Sequence, residues 1–381
     1  MRTFLIPFDL LWVIYIIGGM TMLIAINENN QSVLAVEANK STRYFCSACQ
    51  GNVTLKRGEI KLAHFAHLSK ATCDAFSEGE TEEHLKGKLG LYQSLENQGM
   101  TVQMEAYLPE LKQRPDVLVT VNGMKIAIEF QCSPIPIDTI RSRTEGYLLN
   151  GYAVMWVLGK KLHVKTSLTA AHRAYLYKAG NQYVLHQYDS QNGRTHTLSG
   201  FHKKASRNVS FKSSFSKECP PLLCNHEVPV NDLSRIKDRS VSPKTLIKEK
   251  EKVRRLSLSR QESSRPFFEQ LYLNRETIDS IPLPIFGHVP HEWLIQSSPY
   301  LWKYTMWKWL EEKPKTFVLT KHNLSRQLEV WLNENRLSYY YIPTLNREKQ
   351  LLPFIEFAHD LTVGSYLYRL GEAKWKISQS R

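Results

Sequence analysis

The sequence predicts a mixed α/β unit, with a compact cysteine/histidine module before it and a helical, aromatic-rich region after it. Three observations carry that prediction. Asn122-Gly123 separates two alternating runs, residues 114–121 and 124–131. Residues 80–98 place Leu85, Leu89, Tyr92 and Leu95 at helical spacing and stop at Gly99. A second helix over 137–150, opened by Asp138, leads into the continuous apolar run Ala-Val-Met-Trp-Val-Leu at 153–158. Helix, hairpin with a preceding strand at 100–108, helix and strand make one α/β domain with a mixed sheet flanked by helices.

Composition bounds the rest. The chain has 381 residues, 42% of them hydrophobic, enough for two or three cores. Six cysteines are too few and too scattered for a disulfide framework, which points to a reducing compartment. The net charge of +14 suits a polyanionic partner. The excess is uneven: residues 201–267 hold 16 Lys/Arg against 7 Asp/Glu, so +9 of the +14 lies there. Residues 201–265, rich in Ser, Lys and Arg, read as a solvated linker with one charged helix at 243–256. Before it, 183–197 reads as a hairpin turning at Gln191-Asn192-Gly193. After it, helices are expected at 291–312, 323–336 and 352–370.

The first residues admit two readings. Residues 4–26 are largely apolar, interrupted by Asp9 and Gly18-Gly19, which would suit a hydrophobic anchor and membrane association. However, Gly-Gly followed by Met20-Thr-Met22 is what a purine-rich ribosome-binding site would encode. The expectation is therefore a native start at Met22, with residues 1–21 an upstream-start artefact.

Within the module, Cys46-x2-Cys49 is followed by His64-x2-His67 and Cys73. A Cys-x2-Cys knuckle puts two thiolates on one metal, and a third Cys with one His completes a tetrahedron. The reading is a closed, structural Zn²⁺ site of Cys46, Cys49, Cys73 and either His64 or His67, with His67 favoured for its nearness to Cys73. Cys219-x4-Cys224 with His226 is a far weaker pattern.

The hairpin carries the chemistry. Partners across a turn at residues 122 and 123 have numbers summing to 245. Val117 then faces Ile128, Val119 faces Ile126, and Val121 faces Met124, an apolar face. Asp116 opposes Glu129 on the other face, with carboxylates about 5 Å apart. Such a pair repels itself unless a proton or cation lies between, and a divalent metal is the usual reason to build one. Gln131 shares the face of Glu129. Glu80, His84 and Lys88 share one face of the preceding helix, so Glu80 could add a metal or water contact and Lys88 could balance charge at a phosphate. Arg143 and Tyr147 lie one turn apart on the next helix, where a guanidinium and a phenol could hold a phosphate.

Together these residues resemble the PD-(D/E)XK nuclease superfamily, on Pro115-Asp116, Glu129-x-Gln131 and Arg143-x3-Tyr147. More narrowly, the chain resembles the competence protein CoiA family. The carrying residues are Tyr44-Phe45-Cys46-x2-Cys49, His64-Phe-Ala-His67, Gly79-Glu80-Thr81-x2-His84-x3-Lys88, Arg114-Pro-Asp-Val117, Ile128-Glu-Phe-Gln131-x-Ser133 and Trp156-Val-Leu-Gly159. The likeness is strong over 22–160 and looser afterwards. It implies a cytoplasmic role in natural transformation, acting on imported single-stranded DNA, with recombination proteins as partners and no small-molecule substrate.

The resemblance implies catalytic Glu80, Asp116, Glu129, Gln131 and Lys88. It implies Mg²⁺ or Mn²⁺ on Asp116 and Glu129, with Glu105 in support, and nucleic-acid contacts from His84, Arg143 and Tyr147. One departure matters: Gln131 stands where the motif has Lys. Lys125 lies roughly 13 Å along the strand, so Lys88 is the expected substitute. The rival reading is an inactive nuclease fold serving as a DNA-binding recombination mediator, with Trp302, Trp307 and Trp309 stacking bases. The expected parts are 1–21 as above, 22–77 a zinc-finger-like module, 78–180 a nuclease-like domain, 181–265 hairpin and linker, and 266–381 a helical C-terminal domain.

Overall fold

The structure is a computed structural model and describes residues 21–59, 62–68, 73, 81–203, 209–217, 242–257 and 262–378. Glu80, Cys219, Cys224, His226 and residues 1–20 lie outside it. Among the described residues, no helix is long and apolar enough to cross a membrane.

The N-terminal module is a sheet of short strands: β1 (Thr21–Met22), β2 (Ile24–Asn27), β3 (Ser32–Leu34), β4 (Tyr44–Phe45), β5 (Asn52–Lys56) and β6 (His64–His67), in the order β1-β6-β5-β4-β2-β3. Met22, Ala25, Tyr44, Val53 and Phe65 form its small core, together with Cys46 and Cys73. So few apolar side chains stabilise a fold weakly, and modules of this size usually need a metal or disulfide.

Helix α1 (Glu82–Asn97) follows, capped by Thr81, whose hydroxyl accepts from the His84 N–H. Strand β7 (Thr101–Met104), β8 (Val117–Val121), β9 (Met124–Gln131), helix α2 (Ile137–Leu149) and β10 (Ala153–Leu158) complete the predicted unit. The hairpin register is the expected one, from Val121↔Met124 to Val117↔Ile128. Asn122 and Gly123 both take positive φ, 49° and 78°, as the turn requires. Strand β10 runs parallel to β9, with Trp156 beside Glu129 and Leu158 beside Gln131; α2 supplies the crossover that parallel strands need.

Contrary to the expectation of one core face, both faces of the hairpin are covered. Leu91 and Leu95 of α1 pack on Val117, Val119, Ile126, Ile128 and Phe130. Ile140 and Tyr147 of α2 pack on Leu118, Ala127, Trp156 and Leu158. The carboxylates therefore sit at the end of a two-sided core, not on a solvated face.

The sheet continues past β10. After α3 (Ala170–Ala174) come β11 (Tyr177–Ala179), β12 (Gln182–Asp189), β13 (Arg194–Lys203) and β14 (Val209–Ser216), giving the order β14-β13-β12-β10-β9-β8-β7 with β11 beside β12. The hairpin at 183–197 is thus present, but part of the stretch read as linker is strand. Residues 209–216 alternate Ser and Lys with Phe, and much of β14 is exposed, which suits a polar sheet edge as well as a solvated segment.

Helix α4 (Pro243–Ser257) matches the expected charged helix. The C-terminal region holds α5 (Arg265–Leu273), α6 (Pro299–Glu311), β15 (Val318–Thr320), α7 (Lys321–Asn333), α8 (Arg347–Val363), β16 (Leu367–Gly371) and β17 (Lys374–Ile377). It differs from the all-helical expectation in a three-stranded sheet, β15-β17-β16. The expected helix at 291–312 splits, because Pro299 starts α6 afresh after a short 3₁₀ turn at Pro290–Leu294. The expected helix ending at 370 stops before Gly364, and Leu367–Gly371 pairs as strand. Trp302, Trp307 and Trp309 are all buried in this region's core, packed on Phe354, Tyr366 and Trp331, so they are not available to stack on bases.

Candidate functional site

Two clusters assemble. In the first, the four donor atoms of Cys46, Cys49, His67 and Cys73 lie within 4.8 Å of one another. The knuckle is shaped by its backbone: Gln50 takes φ 58°, its N–H donates to Cys46 O, and the Cys46 N–H donates to Gly51 O. Cys46 Sγ and Cys73 Sγ are 3.9 Å apart, and Cys49 Sγ is 3.3 Å from His67 Nε2. A tetrahedral zinc with Zn–S near 2.3 Å and Zn–N near 2.0 Å spaces such donors by about 3.8 and about 3.5 Å. The residues fit the ion. Burial and the nearby Arg114 charge lower the His67 pKa, which favours the neutral, metal-binding imidazole. His64 is directed elsewhere, its Nδ1 sitting 2.8 Å from Leu62 O. Of the two expected histidines, His67 joins the cluster.

The second cluster stands at the end of the hairpin. Each carboxylate has one oxygen held by two hydrogen bonds. Asp116 Oδ2 accepts from the Phe130 N–H at 2.8 Å and lies 3.1 Å from His84 Nε2. Glu129 Oε1 accepts from Tyr147 Oη at 2.6 Å and Arg143 Nη2 at 2.5 Å. The other two oxygens are less engaged. Asp116 Oδ1 has Lys88 Nζ at 3.8 Å, beyond hydrogen-bond reach, and Glu129 Oε2 accepts no hydrogen bond from any described residue.

The two carboxyls are driven apart electrostatically. Burial would raise Asp116, but His84, Lys88 and the Phe130 N–H outweigh it and hold its pKa well below the usual carboxylate range. Burial raises Glu129, and the Asp116 charge adds to that, while Arg143 and Tyr147 oppose; the net direction is up. Tyr147, buried beside Glu129, is pushed up, so it stays a hydrogen-bond donor. The two carboxyls thus differ in their readiness to ionise.

Lys88 is wholly buried. Its ammonium pairs with Glu105 Oε1 and faces Asp116. Glu105 does not turn toward the carboxylate pair as support for a metal. Its oxygens accept from Lys88, from Arg114 Nη1 at 3.3 Å, and from the backbone N–H groups of Leu23 and Ile24 at 3.1 and 3.2 Å. Three carboxyl groups (Glu105, Asp116, Glu129) thus meet three basic side chains (Lys88, Arg114, Arg143).

Gln131 is half-buried, and its Nε2 donates to Ser133 O at 2.9 Å. Arg143, about a third exposed, is the cation of this cluster nearest to solvent. One residue that sequence reasoning passed over is Glu83. Its Oε1 accepts the Lys160 N–H at 2.7 Å and stands 3.0 Å from where a Cβ on Gly159 would be, beside Cys132. The helical spacing from Glu80 to Lys88 drew attention away from it. Arg114 was legible only as part of a motif.

The comparisons with known proteins agree with one another. The family model described as "Competence protein CoiA, nuclease-like domain" matches residues 80–220. The one described as "Competence protein CoiA, N-terminal domain" matches residues 26–76. Together they span about half of the chain. Over 120 residues the chain is 37% identical to "Competence protein CoiA" of Bacillus subtilis (strain 168), covering 32% of this chain and 32% of that protein. The matched segment spans about a third of the length of that relative. On these matches, the chain belongs to the competence protein CoiA family.

Proposed function

We propose that the chain is a divalent-metal-dependent DNA nuclease with a PD-(D/E)XK core, acting in the cytoplasm on imported single-stranded DNA during natural transformation and promoting its recombination. The observation that carries this reading is the half-engaged carboxylate pair: Asp116 Oδ1 and Glu129 Oε2 remain after their partner oxygens are locked in place. Mg²⁺ or Mn²⁺ held there would supply Lewis acidity toward a phosphodiester and a bound water. The chain's own residues do the rest. Tyr147 and Arg143 orient Glu129, and the outward side of Arg143 meets phosphate. His84 orients Asp116, and Lys88 offsets its charge. Gln131, with its amide N–H on Ser133 O, has its Oε1 to align a water by accepting a hydrogen bond from it. Glu80 keeps its expected role as a further carboxylate, and structural Zn²⁺ would close the N-terminal module through Cys46, Cys49, His67 and Cys73.

The rival reading, a DNA-binding mediator without cleavage, is favoured by a different observation. Lys88, Arg114 and Arg143 already neutralise the three carboxylates, and Gln131 brings no charge. One experiment separates the two. The purified chain and the Asp116→Ala/Glu129→Ala variant are incubated with labelled single- and double-stranded DNA, with Mg²⁺ or Mn²⁺. The nuclease reading expects metal-dependent cleavage that drops by at least about 10³-fold in the variant. Salt-sensitive binding by both proteins with cleavage by neither overturns it in favour of the mediator.

A further inference from the structure

Glu105 occupies a conformation its side chain does not favour. Its φ is 52°, in the left-handed region that glycine and asparagine tolerate and glutamate rarely enters. What holds it there is on every side. Its N–H donates to the Asp116 carbonyl at 3.0 Å. Its carboxylate, buried, takes the Lys88 ammonium and the Arg114 guanidinium from the nuclease-like domain. The same carboxylate takes the Leu23 and Ile24 N–H groups from the N-terminal module. Beside it, Leu23 packs with Leu85 and Met104, an apolar seam between module and domain. Glu105 is the residue through which the backbone of β2, the charge of Lys88 and the main chain of Asp116 all meet.

We infer that Glu105 is a positioning residue that makes the setting of Asp116 depend on docking of the zinc-binding N-terminal module. With β2 docked, two N–H groups share the Glu105 charge, the strained backbone is held, and Lys88 stays between Glu105 and Asp116. With β2 displaced, Glu105 loses those two donors and the cover of Leu23. Its backbone relaxes, and the bond from its N–H to Asp116 O goes with it. Asp116 then loses its fixed seat on the Phe130 N–H. The inference rests on the proposed cation-binding role of Asp116 for its consequence, but not for its test.

The reporter is the Phe130 amide, whose hydrogen exchange reads the seat of Asp116 without any cation at the carboxylate pair. Exchange at Phe130, Leu23 and Ile24 is measured in the full chain, in Glu105→Gln, and in both after zinc is extracted with a chelator. Glu105→Gln keeps the side-chain volume and removes the charge. Coupling through Glu105 expects zinc extraction to speed Phe130 exchange roughly tenfold in the wild-type chain, within the 5–150-fold span of ordinary site-to-site coupling. It expects Glu105→Gln to do the same, and extraction to add little further in that variant. Unchanged Phe130 exchange on extraction from the wild-type chain overturns the inference, as does full additivity of the two perturbations. If Glu105→Gln fails to fold, the extraction arm on the wild-type chain still decides. Mn²⁺ binding, measured by calorimetry on the same samples, keeps the two readings distinguishable. Coupled exchange in a chain that binds no Mn²⁺ supports the role of Glu105 and overturns the cation site; Mn²⁺ binding without coupled exchange does the reverse.

Discussion

Gly87 has no side chain, yet it decides how the carboxylate pair is held. A Cβ there would stand 1.9 Å from Cε1 of Phe130, an overlap that obliges the buried ring or the helix to shift. The missing side chain lets α1 lie against β9, which brings His84 and Lys88 to Asp116. Alanine is the better helix former by about 1 kcal/mol, but here overpacking dominates, typically costing about 1–3 kcal/mol. Gly87→Ala is therefore expected to lower stability by about 1 kcal/mol net in urea unfolding, against the helix-propensity trend. Unchanged or increased stability would refute the close approach of helix and ring. Phe130 itself serves twice: its ring fills the core under α1, and its N–H seats Asp116.

The hairpin of β8 and β9 is the element whose geometry was most legible. Asn122-Gly123 specifies a two-residue turn, and the turn specifies the register, which runs from Val121↔Met124 to Val117↔Ile128, beside Asp116 and Glu129. The contribution of Gly123 differs in kind from that of Gly87. Nothing lies within 4 Å of a Cβ at Gly123, and only its φ of 78° resists substitution. Gly123→Ala is expected to cost about 1 kcal/mol through the backbone alone, measured by thermal unfolding, with the native fold retained by circular dichroism. A much larger loss would mean that the turn is packed. Helix α1 was legible by its periodicity, but not its inner face, where Lys88 is buried against Glu105. That pairing joins residues 17 apart in different elements, and no local spacing announces it.

Across the whole molecule, buried charge joins the C-terminal region to the nuclease-like sheet. Glu292, on the 3₁₀ turn at 290–294, pairs with Lys303 of α6 at 2.6 Å and His288 at 2.7 Å, and faces Lys203 of β13 at 3.9 Å. Beside it, Arg173 donates to Trp293 O at 2.9 Å and stacks over Tyr340. Burial would raise the Glu292 carboxyl, but Lys303 and His288 outweigh it and pull its pKa down to about 2. A carboxyl depressed in the folded state stabilises at pH values above its unfolded value, near 4.5, and loses that contribution as pH falls toward 2. The contribution is on the order of 3 kcal/mol. Glu292→Gln is expected to destabilise strongly at pH 7, since it leaves Lys303 buried without its counter-charge. The gap to the wild-type chain should narrow between pH 5 and pH 3 in denaturant titrations. A gap independent of pH would exclude an ionised Glu292.

Local pattern settled whatever a few neighbouring residues can settle. The hairpin register, the two helices beside it and the Cys-x2-Cys knuckle with its distant Cys73 were all readable, because turn geometry, 3.6-residue periodicity and ligand spacing are short-range properties of the chain. Tertiary packing decided the rest. It chose His67 over His64, since only one side of β6 meets the knuckle. It turned the tryptophans of α6 inward, where their apolar area is worth more than exposure to a ligand, and it recruited the Lys- and Ser-rich strand β14 to a sheet edge. It buried Lys88 and gave Glu105 to the seam between module and domain. A charge leaves water only when distant groups converge to replace its solvation, and such convergence exists only in the folded chain.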